Sequence, residues 1–201
     1  MLGYEDPATL PLHEVHERII TFNKQLAYFW RDASGWAPAR ASEILDAARL
    51  DWQVELSRTL RLWTQTAPVG EAQSRLILGW ANLGALVEGS LKLLLCVHVE
   101  DYWESSSALK RKGRIEAPDG LMMEHLRQFV IAEWLVPKWH EWIHRVQQRR
   151  NAVHAFRHRD LGSHDEFKID VTQYLAFLRE INAYLPYPGG GSKRDRSIAA
   201  S

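Results

Sequence analysis

One cysteine is all that the 201 residues contain, so no disulfide can form within the chain and its stability must come from packing. That residue, Cys96, sits in the apolar run "LKLLLCVHV", which reads as the setting of a buried, inert thiol. Net charge is missing too. Twenty-five basic side chains balance 25 acidic ones, so affinity for a polyanion would have to come from a local patch and not from the field of the whole molecule. The sequence also lacks any uninterrupted run of about 18 apolar residues. Its opening "MLGYEDPATLPLHE" has no basic region leading into an apolar one. These absences set the expectation of a cytoplasmic protein that is neither secreted nor membrane-spanning. No internal repeat is visible. What is present is 46% hydrophobic residues, enough for one well-buried domain in a chain too short to suggest two.

The apolar periodicity is helical almost throughout. Val15, Ile19, Phe22, Leu26, Phe29 and Trp30 mark a first helix that Pro11 opens and "ASGWAP" closes. A second runs from Pro38 to Pro68 on Leu45, Ala48, Trp52, Leu56, Leu60 and Trp63. A third spans residues 71–103 on a stripe of Ile77, Trp80, Gly84, Leu91 and Leu95. Gly79, Gly84 and Gly89 weaken that helix relative to alanine, which implies close approach by neighbours and makes it the central helix. "SSSALKRKGRIEAPDG" reads as a basic loop ending in Asp119, a cap for a fourth helix with Leu121, Leu126, Phe129 and Val130. Pro137 opens a fifth, through Trp139, Ile143, Val146, Val153 and Phe156. Ser163 and Glu166 are spaced as a capping box for a sixth, on Phe167, Val171, Tyr174, Leu178, Ile181 and Leu185. Trp30, Trp52, Trp63 and Trp80 fall on apolar stripes and read as core. The expected architecture is an all-α, single-domain antiparallel bundle of about six helices over residues 1–188, with a disordered tail over residues 189–201.

Cations gather in one place. Arg145, Arg149, Arg150, Arg157 and Arg159, with His154 and His158 among them, precede the first acid, Asp160. Within this region "HEWIH" matches the H-E-x-x-H pattern, in which His140 and His144 would hold zinc and Glu141 would act as general base. A catalytic zinc needs a third protein ligand. The usual distal histidine position holds Arg150, and Gln147 stands where the spacer glycine would be, so no metal and no cofactor are expected and a zinc hydrolase is a minor alternative.

At about 100° per residue, Val146, Arg149, Val153 and Phe156 share one stripe, and Gln147, Arg150, His154 and His158 the next. Arg149 therefore faces inward. Glu88 interrupts the apolar stripe of the central helix, needs a partner, and finds one in Arg149 on this reading. Arg150 and His154, one turn apart on the rim, form the better candidate site. An arginine fork can hold a phosphate and the extra charge of a pentacovalent phosphorane, and a histidine can move a proton to or from a ribose oxygen. Together these groups suit metal-free RNA cleavage, with Arg149 as a second source of charge for the phosphate, Asn151 either orienting the phosphate or donating hydrogen bonds that fix the helix edge, and Arg145, Arg157, His158 and Arg159 holding more of the strand.

"RRNAVHAF" resembles the core motif of the HEPN superfamily, small helical bundles that carry an arginine, often followed by asparagine, and a histidine a few residues on. Here the motif arginine is either Arg149, with four residues intervening before His154, or Arg150, which supplies the Arg-Asn pair with Asn151. "LGWANLGALVEGSLKLLL" resembles the family's long central helix, and the likeness covers residues 70–188 in order and type. It implies an endoribonuclease of toxin or defence type that acts on RNA, works as a homodimer in which two motif copies meet, and has a possible antitoxin or other protein partner. The alternative it leaves open is a non-catalytic helical dimer that binds RNA, nucleotide or a partner protein.

Overall fold

The computed structural model describes residues 5–134 and 137–188; the expected tail over residues 189–201 lies outside them. The fold is all-α. Among the described residues eight α-helices and one two-stranded hairpin are present. Helix α1 (Leu12–Trp30) starts directly after Pro11 and buries Val15, Ile19, Leu26 and Trp30. The expected second helix is in fact two, α2 (Ala39–Ala47) and α3 (Leu50–Thr64). Ala48 between them is extended, and Arg49 folds back onto Asp51 at 2.9 Å and over the Trp52 ring at 4.5 Å. This re-aims α3 and leaves Trp52 59% exposed, so Trp52 is not a core residue, and Trp63 is only half-buried.

Helix α4 (Ala72–Val97) is the central helix, and α2, α3, α6, α7 and α8 all pack on it. By length and composition it alone among the described helices could cross a membrane, yet 72% of its most apolar stretch is buried inside the protein. The glycines act as expected. A Cβ at Gly79 would meet the Phe167 ring at 2.9 Å, and one at Gly84 would lie 2.6 Å from Arg150 Cβ. The helix stops at His98, whose Nε2 lies 2.9 Å from the Tyr184 carbonyl, and α5 (Val99–Glu104) continues from there.

The basic connection is more ordered than a loop: β1 (Lys110–Arg111) and β2 (Arg114–Ile115) pair antiparallel. Positive φ at Lys112 (51°) and Gly113 (78°) makes the tight two-residue turn that right-twisted strands need. Asp119 does not cap the fourth predicted helix. It sits in a 3-10 turn (Pro118–Gly120), and α6 (Met123–Glu133) follows Met122, an N-cap that makes no side-chain hydrogen bond. Helix α7 (Pro137–Arg150) starts at its proline, and α8 (His164–Tyr184) starts at the Ser163 and Glu166 capping box. Phe167, Val171, Tyr174, Leu178, Ile181 and Leu185 are all buried.

Candidate functional site

Helix α7 buries Trp139, Trp142, Ile143, Val146 and Arg149 at three- and four-residue spacing. It ends at Arg150, earlier than its apolar pattern suggests. Asn151–His154 is a 3-10 turn, and Ala155 (φ 55°) then turns the chain away. A 3-10 turn advances by about 120° per residue, so the helical phase of α7 cannot be carried beyond Arg150. Val153 and Phe156 consequently leave the inward stripe and are 45% and 99% exposed.

Arg149 points inward, as its position on the stripe implies, but its partner is not Glu88. Its side chain, 7% exposed, lies 3.3 Å from Glu166, 3.7 Å from Asp170 and 3.9 Å from Asp160, with its guanidinium carbon 4.9 Å from the centre of the Trp80 ring. It ties the end of α7 to α8. Asp170 is the buried acid of this cluster and also accepts from Trp142 Nε1 at 3.1 Å and Arg145 at 2.7 Å. The Ser163 backbone N–H and, after it, the Arg149 guanidinium hold the Glu166 carboxyl below its ordinary range. Asp170 escaped the sequence reading although a signal was there: with Phe167, Val171 and Tyr174 it completes an i, i+3, i+4, i+7 stripe, an acid on an apolar face.

Glu88 pairs instead with Arg150 at 3.1 Å and with Lys92 at 3.2 Å. The reason is steric. Gly84 lets the aliphatic stem of Arg150 lie across α4, and one turn further along, Glu88 stands where the guanidinium arrives. Among the described residues only NH2 of Arg150 is engaged, and the side chain keeps 33% exposure. His154, at the end of the 3-10 turn, is exposed, and its imidazole makes no hydrogen bond or ion pair among the described residues. Asn151 is half-buried and its amide has no hydrogen-bond partner among them.

The remaining cations divide. Arg145 is committed to Asp170, and Arg159 donates to Gln148. Arg157 and His158 are exposed and unpaired among the described residues. In "HEWIH", His140 Nε2 lies 3.1 Å from Arg127 NH1 and His144 Nε2 lies 3.2 Å from Gln148 Nε2. Arg127 is itself held by Glu124 at 2.6 Å. Among the described residues no three His, Cys, Asp or Glu side chains converge as a metal site. An apolar cavity of about 360 Å³ opens between α1, α2, α3 and α4, near Leu26, Leu45, Trp52 and Cys96, and touches none of the motif residues. Burial pushes the Cys96 thiol up to about 12, which leaves it unreactive.

Comparison with protein-family models, curated proteins and solved structures finds no match to this chain.

Proposed function

We propose that the chain is a metal-independent endoribonuclease that works as a homodimer, with Arg150 and His154 at its centre. The observation that supports this reading is a half-anchored arginine fork at the last residue of α7 followed, at the end of a single 3-10 turn, by an uncovered imidazole; the turn replaces the one-turn α-helical spacing expected for the two. Glu88 orients the fork through NH2, and Nε and NH1 remain for a phosphate. In the reaction the ribose 2′-oxygen attacks the adjacent phosphorus, the bond to the 5′-oxygen breaks, and a 2′,3′-cyclic phosphate forms. His154 takes the 2′-hydroxyl proton, and the second copy's His154 returns a proton to the departing 5′-oxygen. Arg150 offsets the charge that builds on the phosphorane. Exposed Val153 and Phe156 flank this edge and give a second copy an apolar surface to meet.

Arg149 has a different part in this scheme. Paired with acids and covered by Trp80, it positions the end of α7 and does not touch substrate. The same observation favours a second reading, a non-catalytic dimer that binds RNA, nucleotide or a protein partner, because it leaves one arginine to do the chemistry. Incubation of the protein with RNA in excess chelator separates the two. Cutting with 2′,3′-cyclic phosphate ends, abolished by 2′-deoxyribose at the cleaved position, is the outcome for the ribonuclease. Binding with steep salt dependence and intact RNA is the outcome for the second reading.

A further inference from the structure

We propose that the β1–β2 hairpin is a second RNA contact, a rigid finger that grips the phosphate backbone away from the Arg150 and His154 edge. The inference rests on the reading that the chain handles RNA. Lys110, Arg111, Lys112 and Arg114 place four cations within residues 110–114 of a protein with no net charge, and all four are exposed. Their one ion pair among the described residues, Arg111 to Glu116, is long at 3.8 Å.

The register adds an independent observation. Arg111 and Arg114 are direct cross-strand partners, so two guanidinium stems stand on the same face of the ladder. Like charges directly opposite destabilise a strand pair. A phosphate between the two forks would turn that repulsion into bidentate binding. The mount is firm. The Leu109 N–H donates to the Tyr102 hydroxyl at 3.0 Å and the Glu116 N–H to the Leu109 carbonyl at 2.9 Å. Tyr102 is fully buried with its ring 4.8 Å from that of Phe129, and the tip is set by positive φ at Lys112 and Gly113.

Charge is all the hairpin offers. No large apolar side chain is exposed over residues 105–120. A membrane-seated finger or a protein hot spot would present an aromatic or aliphatic anchor, whereas a phosphate backbone asks only for cations on a rigid support.

The test is fluorescence anisotropy of a labelled 2′-O-methyl oligoribonucleotide, which cannot be cut, titrated with the full chain across a KCl series. The triple variant Arg111→Gln, Lys112→Gln, Arg114→Gln should keep the wild-type unfolding temperature and lose affinity. Its slope of log K against log salt should shrink by about 2, since each lost contact to a single strand removes about 0.7. The control Lys24→Gln, Arg31→Gln, on α1 and at its C-terminal cap, should keep the wild-type slope. Equal slopes and affinities for wild type and triple variant overturn the finger while leaving any observed cleavage standing. A hairpin-dependent slope with no cleavage does the reverse. Loss of binding to phosphatidylserine vesicles with RNA binding untouched would assign the hairpin to a membrane surface and overturns the proposal equally.

Discussion

Arg149 and Arg150 are neighbours with opposite surroundings. The first is sealed against Trp80, Glu166 and Asp170, and the second lies across a glycine with a third of its side chain in solvent. Removing one partner of a buried charge pair costs about 3–5 kcal/mol. Arg149→Ala should therefore lower the urea midpoint severely, leaving Asp170 buried with one cation fewer. A change no larger than that of an exposed substitution such as Lys24→Ala would show that Arg149 is not structural. Arg150→Lys should fold normally, because the Glu88 side can be satisfied by any ammonium, and should lose the forked grip on phosphate. A second residue-scale effect lies far from the site. His16, buried near Thr64 at 3.3 Å, is held below its ordinary value near 6.5, chiefly by burial. The unfolded chain then binds the proton more readily than the folded one, so this contribution is complete above about pH 6.5 and is lost as pH falls toward the folded value. His16→Gln should flatten that part of the stability profile, and an unchanged profile would contradict the assignment.

Among elements, the contact between α4 and the end of α7 decides the geometry of the site. Gly84→Ala improves helix propensity by about 1 kcal/mol. The new Cβ, however, would fall 2.6 Å from Arg150 Cβ, and overpacking of this kind costs about 1–3 kcal/mol. The expected balance is a net loss of stability, read by thermal unfolding, together with weaker RNA cleavage. A more stable Gly84→Ala protein would mean that the helices do not approach so closely. These elements also show what was legible in the sequence. The starts of α1, α7 and α8 are announced by Pro11, Pro137 and the Ser163 and Glu166 box, signals that act locally. The close approach at Gly79 and Gly84 was legible because glycine inside a helix has an energetic cost. The breaks at Ala48 and His98 carry neither glycine nor proline: the first is marked only by local contacts of Arg49 with Asp51 and Trp52, and the second by the tertiary contact of His98 with the Tyr184 carbonyl. The exchange of Glu88 from Arg149 to Arg150 was hidden because it depends on where a neighbouring helix leaves room. Exposure of Val153 and Phe156 was hidden by a change of helix type at Arg150, which shifts every later side chain.

On the scale of the whole molecule, a chain without net charge presents two cationic regions, one against Gly84 and Glu88 of α4 and the other on the hairpin that follows α5. One is the edge around Arg150, His154, Arg157 and His158, and the other is the β1–β2 finger. Several of the remaining cations sit in intrachain ion pairs. Such a layout suits a polyanion that touches the protein at separate points, and the exposed Val153 and Phe156 beside the first region suit a second copy of the chain. The most direct test is RNA cleavage by wild type and His154→Ala, side by side in excess chelator, with both confirmed by unfolding and sedimentation to share the same fold and oligomeric state. Wild-type products should end in 2′,3′-cyclic phosphate, and His154→Ala should lose about 10²–10⁴ in rate. His154→Ala cutting at the wild-type rate would contradict the proposed role of His154.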